Sequence, residues 1–124
     1  MGWTPGPGAT SGDDAYIGDT TNETVSGGDG NDTLSGLGGS DTLNGDNGND
    51  ILRPGDDYVT DTIDGGADYD IVDYSNVLEN GYIISLGVGG SREFFTNAAQ
   101  TGRDSITNVE EIIGSGSGDW IELN

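Results

Sequence analysis

The residues best suited to bind a ligand or to catalyse a reaction are acidic residues that recur at every ninth position. Asp32, Asp41 and Asp50 each follow a glycine-rich stretch and precede a short apolar-containing triplet. The chain contains neither histidine nor cysteine, which excludes imidazole and thiolate ligands, Ser-His-Asp triads and disulfides. Only oxygen ligands remain, and hard oxygen ligands suit calcium or magnesium. The spacing therefore indicates a repeated site for a hard cation.

The acids belong to a nine-residue repeat in which the acid is at position six and an aliphatic residue is at position eight. Three adjacent units keep this register without error, at residues 27–35, 36–44 and 45–53. The register extends upstream through 18–26, where Glu23 is the acid, and more weakly through 9–17, where Asp14 is the acid. Downstream, Pro54 and Gly55 read as a two-residue insertion, after which the period resumes with Asp61 and Asp70.

The repeat predicts a parallel β-solenoid. Six residues of each unit must turn tightly, which glycine permits because it tolerates positive φ. The other three, such as Thr33-Leu34-Ser35, alternate polar, apolar, polar and predict a short strand with one inward side chain. Two units make one coil, so units eighteen residues apart stack about 4.8 Å apart. The predicted inward columns are Tyr16, Leu34 and Leu52 on one side and Val25, Leu43 and Ile63 on the other.

Composition shows why a cation is needed. Of the 124 residues, 31% are hydrophobic, and 23 acids face only three arginines, for a formal net charge of −20. Such a chain cannot offset its ordering entropy unaided, and stacked carboxylates repel unless a cation lies between them. The charge excludes nucleic acid as a partner. Neither a membrane span nor a Sec-type signal is predicted.

Residues 27–53 resemble the RTX family, the haemolysin-type calcium-binding repeats with the motif G-G-x-G-x-D-x-U-x. Members occur in serralysin-like proteases, lipases, toxins, adhesins and alginate-modifying enzymes of Gram-negative bacteria. The resemblance covers residues 12–73 well and 105–122 loosely. It implies an all-β fold, a right-handed, calcium-stacked parallel β-roll, with calcium bound between turns eighteen residues apart.

The resemblance also implies the ligands: backbone carbonyls at positions two and four of one turn, carbonyls at positions one and three of the other, and both position-six acids. It implies about four ions in all. The metal should be calcium, because six oxygens per site fall within the range for calcium, whereas magnesium requires a tighter octahedron. The implied sets are Gly28, Gly30 and Asp32 with Gly45, Asn47 and Asp50; Asp19, Thr21 and Glu23 with Gly36, Gly38 and Asp41; Asp46, Gly48 and Asp50 with Gly65, Ala67 and Asp70; Leu37, Gly39 and Asp41 with Asp56, Tyr58 and Asp61; and, more weakly, Thr10, Gly12 and Asp14 with Gly27, Asp29 and Asp32.

Two other kinds of site are disfavoured. An EF-hand beginning at Asp29 fails, because its twelfth position is Ser40 and a glutamate is required there. Paired carboxylates such as Asp56 and Asp57 could serve acid–base catalysis, but they fall in a repeat turn, where metal binding or solvent exposure explains them better. No catalytic residues are predicted, and the module is expected not to be an enzyme, although its parent protein could be one.

The period breaks after Asp73. Residues 82–86 and 92–95 read as strands joined by a turn, which predicts a β-hairpin insertion. Tyr82, Phe94 and Phe95 could bind a ligand, but capping the end of the roll is favoured. Ile112 and Ile121, nine apart, predict a resumed final coil. The predicted organisation is one domain, with residues 1–11 as a linker or cloning-derived start, 12–73 as the roll, 74–104 as the insertion or cap and 105–124 as the final coil.

These patterns predict a calcium-binding module of a secreted bacterial protein, extracellular or on the cell surface and exported by type I secretion. It is expected to fold on calcium binding and to stabilise its parent. The alternatives are a carbohydrate-binding accessory module, for which three arginines offer little basic surface, and a repeat segment of an adhesin. Besides calcium, a glycan or neighbouring domains of the parent chain are the partners to consider.

Overall fold

The computed structural model describes residues 2–4, 8–55, 59–74, 83–86, 91–95, 103–113 and 120–123, all of them strand or loop. The fold is all-β, as predicted, and forms a β-solenoid of about three turns. The strands are β1 (Gly2–Thr4), β2 (Ala15–Ile17), β3 (Thr24–Asp29), β4 (Thr33–Ser35), β5 (Thr42–Asn47), β6 (Ile51–Arg53), β7 (Thr62–Asp64), β8 (Ile71–Asp73), β9 (Ile83–Leu86), β10 (Ser91–Phe95), β11 (Arg103–Thr107), β12 (Glu111–Ile113) and β13 (Trp120–Leu123).

Alternate units of the repeat build two separate sheets. In the first sheet β2, β4, β6, β8 and β12 are neighbours, all parallel, and β1 adds antiparallel to the outer edge of β2. In the second sheet β3, β5, β7 and β11 are parallel neighbours. Leu34 pairs with Leu52 eighteen residues later, as the period requires. Residues 2–4, which the sequence assigns to a linker, therefore form the edge strand of the first sheet.

The core is a thin double column of one inward side chain per strand. Leu34, Leu52 and Val72 are buried in the first sheet, and Tyr16 packs against this cluster from the end of the column. Val25, Leu43, Ile63 and Ile106 form the facing column in the second sheet. The burial pattern of each three-residue strand from β4 to β8 has its buried residue in the centre. The predicted inward columns are confirmed.

The two extra residues of the irregular turn lie later than predicted. Position two has positive φ in four turns, at Gly28, Leu37, Asp46 and Gly66, and Gly55 shares this conformation with φ 107°. Pro54 is buried, as the position-one glycines are. Pro54 and Gly55 thus occupy positions one and two, and the extra residues fall between Gly55 and Asp61. The prediction was wrong because a Pro-Gly pair is an ordinary loop signal, whereas here both residues fit the repeat turn.

The chain leaves the roll after β8 and returns by extending the second sheet. Strands β9 and β10 pair antiparallel as the predicted hairpin, and β10 pairs antiparallel with β11, which stacks on β7. Ile112 pairs with Val72, continuing the first sheet. Ile121 pairs with Ile84 through β13 and β9 rather than with a strand of the repeat, and its inward orientation stays a prediction. Ile106 stacks on Ile63 because β11, not β13, follows β7.

Two further observations concern the surface and the C-terminal aromatics. Arg53 makes a 3.1 Å ion pair with Asp73 in the next coil on the outside of the first sheet, as expected for a surface arginine. No helix that is long and apolar enough to cross a membrane occurs in the described part of the chain. Tyr82 and the side chains of Phe94 and Phe95, assigned to a cap from the sequence, lie outside the described residues.

Candidate metal centre

The position-six acids form a continuous hydrogen-bonded ladder along each row of turns. In one row the N–H of Asp14 donates to Oδ1 of Asp32, that of Asp32 to Asp50, and that of Asp50 to Asp70, at 2.8–2.9 Å. In the other row Glu23 donates to Asp41 and Asp41 to Asp61, at 2.9 and 2.8 Å. Every aspartate of the ladder is at most 4% exposed. Each turn thus fixes the next acid with one carboxylate oxygen.

The second carboxylate oxygen is what remains for a ligand. Oε2 of Glu23 and Oδ2 of Asp32, Asp50 and Asp70 are buried and have no hydrogen-bond partner among the described residues. An ionised oxygen left in this state loses its hydration without compensation. These carboxylates therefore need either a proton or a cation.

The free oxygens converge with backbone carbonyls from the next coil. A Cβ built on Gly45 would collide with Oδ2 of Asp50 and with the carbonyl oxygen of Gly65. A Cβ on Gly27 would meet Oδ2 of Asp32, and the Gly45 carbonyl oxygen would lie 2.9 Å from it. The same holds at Gly18, where the oxygens belong to Gly36 and Glu23. Glycine is required at Gly18, Gly27 and Gly45 because a Cβ there would fill the space in which a carboxylate and a carbonyl face each other.

The electrostatics of the ladder are unfavourable in the absence of metal. Burial raises the pKa of Asp50 from 3.8 to about 7, opposed by the hydrogen bond from the Asp32 N–H and reinforced by the charges of Asp70, Asp32 and Asp46. Burial likewise raises the pKa values of Asp32 and Asp70, again with neighbouring acids adding to the effect. A divalent cation between successive acids would lower these pKa values, since opposite charge favours the ionised form.

The first coil gives its acids additional hydrogen bonds. The N–H of Thr10 donates to Oδ2 of Asp14 at 2.6 Å, and the Thr10 hydroxyl lies 2.9 Å from Oδ1. Both oxygens of Asp14 are therefore occupied. In the parallel row the N–H of Asp19 donates to Oε1 of Glu23 at 3.1 Å. Hydrogen bonds from the Thr21 hydroxyl and N–H lower the pKa of the half-buried Asp19.

A second ladder, which the sequence did not reveal as functional, runs along position five. The side chain of Asp13 accepts from the N–H of Asn31, Asn31 accepts from Asn49, and Asn49 accepts from Tyr69, at 2.8–3.0 Å. Asn22 accepts in the same way from Ser40, at 2.8 Å. These short polar side chains hold successive turns in register next to the acids. The signal for them was the recurrence of asparagine or aspartate at position five.

The structure brings the predicted ligand residues into facing turns. Gly38 donates its N–H to the carbonyl of Asp19, and Ala67 donates to that of Asp46, both at 2.8 Å. A carbonyl oxygen has a second lone pair, so these hydrogen bonds leave room for a cation. Asp29 and Asn47 face each other on the exposed side, joined by a 2.9 Å hydrogen bond. Asp56 and Tyr58, predicted for the irregular turn, lie outside the described residues.

The donor set is mixed rather than a cluster of carboxylates. Within the described ranges, no group of three or more acidic side chains converges closely enough to hold a metal ion. A cation between these turns would be held by two carboxylates and by backbone carbonyls. That combination suits calcium, which accepts six to eight oxygens in flexible geometry.

Stacked coils with glycine turns and a buried carboxylate ladder define a parallel β-solenoid whose turns are suited to bind cations. Residues 17–52 match the RTX calcium-binding nonapeptide repeat in four copies. Residues 17–52 of the chain are thus RTX-type calcium-binding repeats. No solved structure matches the chain. The ladder continues past the matched segment to Asp61 and Asp70.

Proposed function

We propose that this module folds only when calcium fills its turns, and that it thereby stabilises the protein of which it is part. The observation that carries the proposal is the set of buried carboxylate oxygens without a hydrogen-bond partner among the described residues, on Glu23, Asp32, Asp50 and Asp70. Nothing else in the described structure compensates for their burial. Calcium would supply the missing interaction and would offset part of the net charge of −20.

The proposed ligand sets are those given by the register of the repeat, and three of them have direct geometric support. In each, the free oxygen of a position-six acid shares an enclosed space with a position-one carbonyl of the next coil. The three pairs are Glu23 with Gly36, Asp32 with Gly45, and Asp50 with Gly65. The sets are proposed to hold about four ions together with the irregular turn. The set that begins at Thr10 is the weakest, because Thr10 already satisfies Asp14.

The energetics favour a calcium switch between compartments. Extracellular calcium sites typically have a Kd of about 10⁻⁴–10⁻³ M. With a Kd of ~0.1 mM and ~5 mM calcium, mass action contributes about 2.3 kcal/mol per site. Four such sites contribute about 9 kcal/mol, which is comparable with the whole stability of a domain. The module would stay unfolded where calcium is scarce and fold after export. RTX repeats are typical of secreted bacterial proteins, and we propose a secreted, non-catalytic role here.

Circular dichroism of the whole chain tests the proposal. In EGTA the spectrum should be mainly coil, and β signal should appear at millimolar calcium but not at the same concentration of magnesium. Sodium chloride at matched ionic strength controls for simple charge screening. A folded spectrum in EGTA that calcium leaves unchanged would refute calcium-dependent folding.

A further inference from the structure

The turn between β11 and β12 is shorter than the repeat turns but keeps their position-six hydrogen bond. Only residues 108–110 separate the two strands, whereas a repeat turn has six residues. Even so, the N–H of Asp70 donates to Oε2 of Glu110 at 2.7 Å, as the N–H of Asp50 does to Asp70 at 2.9 Å. Glu110 therefore takes the place of a position-six aspartate, and its longer side chain suits the shorter turn.

The same turn also supplies a carbonyl in the place of position one. A Cβ built on Gly65 would collide with the carbonyl oxygen of Asn108 and would lie 2.6 Å from Oδ2 of Asp70. This repeats the arrangement at Gly45, where the oxygens belong to Gly65 and Asp50. Asn108 has a left-handed backbone, with φ 52°, and its side-chain amide donates to Asp64 at 2.8 Å. These features hold its carbonyl in place.

The side chain of Asp70 points to a ligand at this position. Asp70 is 0% exposed, its Oδ1 accepts from Asp50, and its Oδ2 has no hydrogen-bond partner in the part of the chain that the structure describes. That free oxygen faces the Asn108 carbonyl. When Asp70 is ionised, these two oxygens are both acceptors and cannot hydrogen-bond to each other, so the space between them fits a cation.

We infer that Asp70, Asn108 and Glu110 form a further calcium site, in which a three-residue turn replaces a repeat turn. The ligands are Oδ2 of Asp70, the Asn108 carbonyl oxygen and a carboxylate oxygen of Glu110. The site lies outside residues 17–52, which match the repeat family, and the inference rests on the proposed calcium function. The short turn has fewer carbonyls than a repeat turn, so water must complete the six to eight oxygens that calcium takes. The site should therefore be weaker than the Asp32–Asp50 and Asp50–Asp70 sites of its row.

Glu110→Gln in the full chain tests the site. Glutamine keeps an oxygen that can accept from the Asp70 N–H but lacks the charge. Equilibrium dialysis with radioactive calcium should show one ion fewer per chain, or one site about 10–100-fold weaker. Glu111→Gln is the matched control, because Glu111 is exposed and its Oε2 accepts from the Tyr69 hydroxyl, 3.1 Å away. It should bind as the wild type does. Unchanged calcium number and affinity in Glu110→Gln would overturn the inference.

A second variant separates a metal ligand from a simple cap, even if Glu110→Gln folds poorly. Glu110→Asp keeps the charge but is one methylene group shorter, so it should lose the hydrogen bond from the Asp70 N–H. If Glu110 binds calcium, Glu110→Asp should fold at a lower calcium concentration than Glu110→Gln. The opposite order would show that Glu110 only accepts the hydrogen bond. A wild-type chain that binds no calcium would refute the proposed function itself, whereas calcium binding that is unaffected by Glu110→Gln refutes only this site.

Discussion

Replacing Asp50 with asparagine should have opposite effects without and with calcium. The side chain would keep an oxygen that accepts from the Asp32 N–H, now 2.8 Å from Oδ1. Its amide nitrogen would replace the free Oδ2 and would present an N–H to the Gly65 carbonyl, which lies in the same enclosed space. Without calcium, a buried charge is thus exchanged for a satisfied amide. With calcium, the ligand charge shared by two proposed sites is lost.

The size of each effect follows from the structure. A pKa raised from 3.8 to about 7 corresponds to about 4 kcal/mol of unfavourable free energy for ionised Asp50 at pH 8. The substitution should stabilise the calcium-free roll by up to that amount. Each proposed site contributes roughly 2 kcal/mol at ~5 mM calcium, so loss of two sites should remove about half of the calcium-dependent stabilisation. Glu23→Gln touches one proposed site and should remove about half as much.

The assay measures the free energy of unfolding in both states. Trimethylamine N-oxide can drive folding in EGTA, because excluded osmolytes favour burial, and urea can unfold the chain in 5 mM calcium. Asp50→Asn should need less osmolyte than the wild type in EGTA and should show a smaller gain from calcium. If Asp50→Asn and Glu23→Gln reduce that gain equally, the assigned register is wrong. If Asp50→Asn needs more osmolyte, the argument from buried charge is wrong.

Three other perturbations test separate features of the roll. Gly45→Ala should destabilise the calcium-bound form by about 1–3 kcal/mol in urea unfolding, because the new Cβ would collide with Asp50. Gly12→Ala is the control and should be neutral, because the nearest atom to its Cβ would be 3.8 Å away. Leu37→Gly should raise the Tm, because Leu37 is half-exposed and has φ 73°, a conformation that costs a residue with a Cβ about 1–2 kcal/mol; an unchanged or lower Tm would contradict this. In EGTA, β signal in circular dichroism should increase as the pH falls from about 8 to 5, because the raised pKa of Asp50 stabilises the folded form at low pH and this stability is lost as the pH rises through 7. In calcium the trend should reverse, because protons compete for the ligands.

The period of the sequence predicts much of the fold because each repeat position has one physical task. Leu43 and Ile63 could be assigned to the core from position eight alone, and both are fully buried. The ladder of position-six acids followed from stacking and is confirmed for Asp32 and Asp50. The repeat is informative because each coil makes the same strand pairings and hydrogen bonds with the next one.

Other features could not be predicted, because their signal depends on the neighbouring coil. Leu37 and Asp46 have positive φ without being glycine, since the stacked turns impose that conformation. The turn that contains Asn108 and Glu110 lacks the nine-residue spacing, and only the hydrogen bond to Asp70 shows its relation to the ladder. Ile121 keeps the nine-residue spacing from Ile112, but its strand β13 pairs with β9. The reason is that β11, β10 and β9 lie between β7 and β13 in the second sheet.

The alternation of units between two sheets limits how such a chain can lengthen. Eighteen inserted residues would add one coil and leave every later strand in its sheet, whereas nine would move every later strand to the opposite sheet. The chain tolerates other lengths where the insertion begins and ends in register. Leu52 and Val72 still pair across twenty residues, and Val72 and Ile112 across forty. Gene duplications of whole coils, and insertions that return to the same sheet, are thus the changes in length that preserve both inward columns.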